Sequence, residues 1–207
     1  MIIPKEIQEA IIKNKLVIFA GAGFSLKFDL PNWQKLVEDV IAEIDNEEYK
    51  TLLPVLRANL MSPVQVLELL HNEHNVIKRY LIKNFKIDSE DLNLHRKVLR
   101  LSNSIITTNF DNAFELASDN KIEPAIYTSD FNISEINKSD DPYIFKLHGT
   151  YSEPDNCILF KEQYENLYLN DTAAKEKLKS IFAEKTILFI GYSFNDPDIN
   201  LIFDNLN

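Results

Sequence analysis

Short apolar runs punctuate the chain, separated by stretches in which apolar residues fall three and four apart. The runs are LVIFA (16–20), IITT (105–108), AIYT (125–128), YIFKL (143–147), CILF (157–160) and TILFIG (186–191). They are β-branched or aromatic and mostly lack strict alternation, the pattern of strands covered on both faces of a parallel sheet. Between them, NWQKLVEDVIAEI sets Trp33, Leu36, Val37, Val40, Ile41 and Ile44 at helical spacing, which predicts an amphipathic helix. KEKLKSIFAEK (175–185) and DPDINLIFDNL (196–206) also read as helices, the second capped by Asp196 with Pro197 in its first turn. Strands alternating with helices predict an α/β fold built on a parallel sheet of about six strands flanked by helices.

Residues 46–100 break the alternation. They hold only helical pieces: one opened by Ser62-Pro63, one around VIKRYLIKNF (76–85) and one around LHRKVLRL (94–101). The stretch reads as a helical insertion after the first strand–helix unit, within one domain spanning 1–207. At the start of the chain, Ile3, Ile7 and Ile11 share a helical face broken by charges, which excludes a secretory apolar segment. The longest apolar run, around LVIFAGAGF, is too short for a bilayer, which takes about 20 residues.

Composition narrows the chemistry. At 45% hydrophobic and 26% charged residues the chain is expected to pack a core. A formal net charge of −10, with no local Lys/Arg cluster, argues against direct nucleic-acid binding. Any anionic ligand must then be held by backbone N–H groups and local dipoles. The one cysteine, Cys157, leaves no internal disulfide and no Cys-rich zinc site, and fits a reducing cytoplasm. His71 and His74 have a metal-compatible spacing but no evident third ligand, so no metal is expected; with His95 they read as surface or packing residues.

Four stretches carry candidate chemistry. In KLVIFAGAGFS (15–25) a buried strand empties into Gly21-Ala22-Gly23, a turn that commonly brings a phosphate to the start of a helix. The dinucleotide fingerprint needs a third glycine where Leu26 stands, and the P-loop lysine is absent as well. SIITTNFD (104–111) ends a strand in Thr107, Thr108, Asn109 and Asp111. Asn109 and Asp111 there can touch a ligand beyond the strand's carboxyl end, or simply make a turn and cap a helix. YIFKLHGTY (143–151) puts His148 and Gly149 at another strand end, where an imidazole suits proton transfer. ILFIGYSFNDPDI (187–199) repeats the strand-to-glycine design with Gly191 and Ser193.

In this order GAG-F-S, TTNFD, KLHG and GYS resemble the sirtuins, whose motifs read GAG-x-S, T-Q-N-x-D, H-G and G-T/S-S. The bacterial sirtuin-like branch found in antiphage defence is closer still. Its LPxW segment is matched by Leu30-Pro31-Asn32-Trp33, and its GYSxxDPDI is matched at 191–199. The resemblance implies a Rossmann-like sheet in which Gly21, Ala22, Gly23 and Ser25 hold the pyrophosphate of NAD. It implies that Asn109 lies by the nicotinamide ribose and that Asp111 reaches toward the carboxamide, with Thr108 and Gly149 also among the NAD-binding residues. It also makes His148, beside Gly149, the catalytic histidine, and sets Gly191 and Ser193 on the adenosine side.

The sequence also departs from the sirtuin pattern. One cysteine cannot build the four-cysteine zinc module of protein deacylases, and helices 46–100 would stand in its place. Thr108 replaces the glutamine before the asparagine, and Asp29 sits where the branch often has glycine. Little sequence follows Ser193, so the pocket is either compact or completed elsewhere. The activity implied is hydrolysis of NAD, as substrate, to nicotinamide and ADP-ribose, depleting NAD in antiphage defence. NAD-dependent deacylation, ADP-ribosyl transfer and non-catalytic NAD sensing are the alternatives. A homo-oligomer or a defence partner is expected, and no membrane.

Overall fold

The structure is a computed structural model and describes residues 3–136, 141–170 and 172–192. Its centre is a parallel sheet of five strands: β1 (Leu16–Ala20), β2 (Ser104–Thr107), β3 (Pro124–Ile126), β4 (Tyr143–Lys146) and β5 (Thr186–Ile190), in the order β3-β4-β2-β1-β5. All four pairings are parallel, with Ile18 opposite both Ile105 and Leu188. The chain moves outward from β1 in one direction through β2, and β5 then adds on the other side of β1. The order therefore reverses at β1, where open α/β sheets form their crevice.

Both faces of the sheet are covered, which explains the unbroken apolar runs. Alternate residues of β1 point to opposite sides. Val17 and Phe19 join Ile106 and Phe145 in a core closed by Leu167 and Tyr168 of the helix Lys161–Tyr168 and by Leu178 and Ile181 of the helix Ala173–Glu184. Leu16, Ile18 and Ala20 join Ile105 and Ile144 under Ala10 of the helix Lys5–Ile12, Val98 of the helix Asn93–Leu101, and Phe114. Ile7 and Ile11 pack on this second core, so the first helix spends its apolar face inside the protein.

Residues 46–100 carry helices and no strand. Ser62 opens Pro63–Leu69 with a reciprocal capping box to Gln65, and Asn32 caps Trp33–Ile44. Leu36, Val37, Val40 and Ile41 of the latter form a third core with Leu56, Val66, Leu67, Leu70, Ile77 and Leu81. Phe110, Cys157 and Leu159 close it from below, so this helical cluster rests on the loops that leave β2 and β4.

The sixth expected strand, CILF at 157–160, is not a strand. Cys157, Ile158 and Leu159 are buried, but only the Ile158 amide makes a ladder-like bond, to the His148 carbonyl at 2.9 Å. The amides of Leu159 and Phe160 donate instead to Gln163 Oε1, at the start of the helix Lys161–Tyr168. An apolar run can thus be buried beside a sheet without joining it, because the helix behind it takes its donors. The expected helix 196–206, with Asp196 and Pro197, lies outside the described residues.

Candidate functional site

Four motif loops leave the carboxyl ends of four neighbouring strands, in the order β4, β2, β1, β5. The edge strand β3 carries none. At the crevice on β1, the turn after Ala20 enters a short 3₁₀ segment, Ala22–Phe28. Asn109 reaches across from β2 and donates through Nδ2 to the Gly21 carbonyl at 3.2 Å and to Ser25 Oγ at 3.3 Å. Its Oδ1 is buried and has no hydrogen-bond partner among the described residues. A buried carbonyl left so costs about 1–3 kcal/mol and is an acceptor held ready for a donor.

Gly21, Gly23 and Gly191 are fitted to one another. Gly21 donates to the Ile190 carbonyl and Gly23 to the Gly191 carbonyl, both at 2.9 Å. A Cβ on Gly23 would stand 2.7 Å from Gly191 O, and one on Gly191, whose φ is +71°, 2.4 Å from Phe24 N. At Gly21 the obstacle is Tyr192, whose ring would lie 2.7 Å from an added Cβ. The Tyr192 hydroxyl meets Thr108 Oγ1 at 2.8 Å and donates to the Ala20 carbonyl at 3.3 Å, bridging the ends of β1, β2 and β5. The glycine turn thus owes its composition first to the chain's own packing. Ala22 and Gly23 are exposed beside it and Ser25 is buried. Ser193 lies outside the described residues.

His148 is buried just beyond the end of β4, against the helix Lys161–Tyr168. Its Nε2 is 2.8 Å from the Tyr168 hydroxyl, and the Tyr164 ring packs on it edge-on at 5.2 Å. The next residue, Gly149, has φ +88° and lies tight against the Asn156 carbonyl, which a Cβ would approach to 2.3 Å. The loops after β2 and β4 run together: Leu147 donates to the Thr107 carbonyl and Tyr151 to the Phe110 carbonyl, each at 2.9 Å. Asp111 is buried, and its Oδ1 accepts the Ala113 amide at 2.9 Å, an Asx-type turn contact one residue ahead of Asn112, which holds the cap position of the helix Ala113–Ala117.

Sequence reasoning passed over Lys146, whose ammonium is fully buried between these two loops. It donates to the backbone carbonyls of Asp111 and Phe110 and pairs with Glu115 at 2.9 Å. The signal was a lysine inside the otherwise apolar run YIFKL. A cavity of about 210 Å³ lined by Glu123, Asn132, Asp141 and Tyr143 lies at the amino ends of β3 and β4, opposite the motif loops.

His71 and His74 are exposed, and among the described residues no three His, Cys, Asp or Glu side chains gather as a metal site. His95 is fully buried in a cage of Phe24, Phe28 and Phe114 at 4.7, 5.5 and 4.9 Å, with neither ring nitrogen hydrogen-bonded among the described residues. This is the packing role, and the surface alternative is wrong for it. Burial first, then the charge of Lys27, pushes its imidazole down to about 4.

Below a histidine's ordinary pKa near 6.5 the unfolded chain takes a proton that the folded one refuses. Stability is therefore full above about pH 6.5 and drains as pH falls toward 4, by up to about 3 kcal/mol. Urea unfolding at pH 7 and pH 4.5 should show His95→Leu losing less stability between the two than the parent. Equal losses would remove His95 from the acid response.

The open parallel sheet with its loops gathered at the switch point defines a Rossmann-like α/β protein. The chain belongs to the SIR2-like domain family, whose model matches residues 103–207. Among curated relatives it is 31% identical over 207 residues to the NAD(+) hydrolase ThsA of Acinetobacter baumannii, covering 99% of this chain and 41% of that one. It is 28% identical to the NAD(+) hydrolase ThsA of Cytobacillus dafuensis over 98% of this chain and 40% of that one. It is also 29% identical to Defense-associated sirtuin 2 of Bacillus subtilis, over 97% of this chain and 20% of that protein. The chain thus spans about two fifths of the length of the two ThsA relatives. The family model begins after the glycine turn, which the Gly21–Ile190 and Gly23–Gly191 bonds tie to the matched part. No helix among the described residues is long and apolar enough to cross a membrane.

Proposed function

We propose that this chain binds NAD in the crevice over β1 and hydrolyses its N-glycosidic bond, giving nicotinamide and ADP-ribose. The observation that carries the reading is the buried Asn109 Oδ1, without a hydrogen-bond partner among the described residues, where the loops of β4, β2, β1 and β5 converge. The names of the ThsA relatives, NAD(+) hydrolases, point to the same chemistry.

Cleavage of this bond passes through an oxocarbenium-like state, for which a neutral amide orients the ribose without opposing the developing charge. Asn109 takes that role, and His148 accepts the proton of the incoming nucleophile. With the Gly23 and Phe24 amides already used by Gly191 and Gly21, the pyrophosphate falls to the Ala22 amide and to Ser25. Ser25 Oγ accepts from Asn109 and keeps its own hydrogen for a phosphate oxygen. Thr108, Asp111, Gly149, Gly191 and Ser193 complete the proposed NAD contacts.

In this reading 1–207 is one NAD-binding domain with 46–100 as its helical insertion. Its home is the cytoplasm, and its role is NAD depletion in defence against phage. Chromatography of NAD incubated with the protein tests it directly: equimolar nicotinamide and ADP-ribose are expected. Intact NAD, with the full-length protein and its natural assembly included, would leave NAD sensing as the function. We further propose that the working form is a homo-oligomer or a complex with a defence partner. Light scattering on an active sample should then give a mass above that of one chain, and full activity from a monomer would overturn it.

A further inference from the structure

We infer that Asn112 is a positioning residue that ties the loop carrying Asn109 to the helical insertion and so fixes where the Asn109 amide sits. An asparagine at a helix N-cap ordinarily turns its side chain back on the helix's own amides. At the cap of Ala113–Ala117 it does not, and the Ala113 amide goes to Asp111 Oδ1 instead. The Asn112 side chain engages the backbone of Ile87, in the insertion. Its Oδ1 accepts the Ile87 amide at 2.8 Å and its Nδ2 donates to the Ile87 carbonyl at 3.3 Å. A side-chain amide that meets both polar groups of one residue fixes direction as well as distance, as the doubly bonded pairs of an antiparallel sheet do.

The segment that receives these bonds, between the helices His74–Asn84 and Asn93–Leu101, is itself seated on both neighbouring loops. Ile87 and Leu92 are buried, each at 3% exposure, in a cluster with Ala113 and Ala117 against which Phe28 packs. Further along, the Lys27 ammonium donates to the Asp91 carbonyl and lies 3.2 Å from the Asp91 carboxylate. Lys27 and Phe28 belong to the 3₁₀ segment Ala22–Phe28, which also carries Ser25. Residues 87–91 therefore bridge two loops, that of β2 through Asn112 and that of β1 through Lys27. The same two loops meet again in the crevice, where Asn109 Nδ2 donates to Ser25 Oγ at 3.3 Å. That bond is at the long end of the useful range, so the spacing of the two loops is set by the outer bridge. Lys146 ties the β2 loop to β4; Asn112 ties it to the insertion and, through that, to the loop of β1. The effect on rate rests on the NAD-hydrolysing reading, in which Asn109 orients the ribose, but the geometry is independent of it. A small displacement of an orienting group slows the chemical step more than it weakens binding.

The experiment compares Asn112→Ala and Asn112→Ser with the parent, each held well below its melting temperature. Alanine removes both bonds. Serine is a strong helix cap whose single hydroxyl can meet at most one of the two Ile87 groups, so it protects the fold without restoring the link. Nicotinamide release should show kcat about 10-fold lower in both variants, with KM for NAD within about twofold of the parent. NMR gives a readout that needs no turnover: the Asn109 side-chain amide signal, assigned by its loss in Asn109→Ala, should shift or broaden in both variants. The Ile87 backbone amide should also exchange faster with solvent in Asn112→Ala. A role confined to stability would lower the melting temperature of Asn112→Ala and leave kcat and the Asn109 signal of the folded protein unchanged, and that result overturns the inference. Parental kcat and an unmoved Asn109 signal in Asn112→Ser overturn it too, even if the alanine variant fails to fold. If the Asn109 signal moves as stated while no assembly of the protein releases nicotinamide, the inference stands and the proposed reaction falls.

Discussion

Asn109→Ala and His148→Ala should each leave a folded protein that has lost nicotinamide release. For Asn109, alanine removes two hydrogen bonds, to the Gly21 carbonyl and Ser25 Oγ, which together are worth about 1–3 kcal/mol. It also removes the orphaned Oδ1, whose desolvation the folded state now bears, so the net loss in stability should be small. The ribose loses its neutral anchor and the rate should fall at least about 100-fold, as expected when a group that orients the reacting centre is deleted. For His148, removing a general base typically costs 10²–10⁴-fold. NAD affinity should largely survive both changes, since neither residue carries the pyrophosphate in the proposed site. Thermal melting, calorimetric titration of NAD and product chromatography separate these effects. Two variants that cleave NAD like the parent would make the site assignment wrong.

The second large effect is expected at Lys146. Lys146→Met keeps the volume and removes a cation that serves two backbone carbonyls and Glu115 in a site closed to water. Breaking one side of a buried pair costs about 3–5 kcal/mol, because the other side is left charged and unpaired. Adding Glu115→Gln should recover part of the loss by neutralising the stranded carboxylate. Urea unfolding of the parent, the single and the double variant measures both steps. A single variant within about 1 kcal/mol of the parent would mean that the pair holds nothing together. Because Lys146 fastens the loop that carries Asn109 to the strand that carries His148, the weakened protein should also release nicotinamide more slowly.

The strands were legible where burial and pairing coincide. LVIFA and, apart from Lys146, YIFKL are apolar on both sides because helices cover both faces, and TILFI, at the sheet edge and half-buried, carries the same letters and pairs with β1. CILF misled because burial alone writes the same letters; what decides is whether a ladder or Gln163 takes the donors. The helix Trp33–Ile44 was legible from its spacing; the cap at Asn32 was not read from the sequence.

The four motif loops could be placed at strand ends from sequence, since each follows an apolar run. What could not be read is what each side chain turns toward. Asp111 faces its own helix, Tyr192 lies on Gly21, and Tyr168 reaches His148 from 20 residues away. Those contacts depend on the crossing of separate elements, and no local pattern encodes them.

The ring of Tyr192 seated on Gly21 has an evolutionary corollary. The space above residue 21 is a single volume that two positions share, though they stand at opposite ends of the described chain. Drift at one is therefore chained to drift at the other. A lineage that admits a side chain at 21 must let the aromatic at 192 move or shrink, and keeping the ring where it lies favours glycine. Glycine at 21 then records the history of a neighbour as much as the demands of any small molecule.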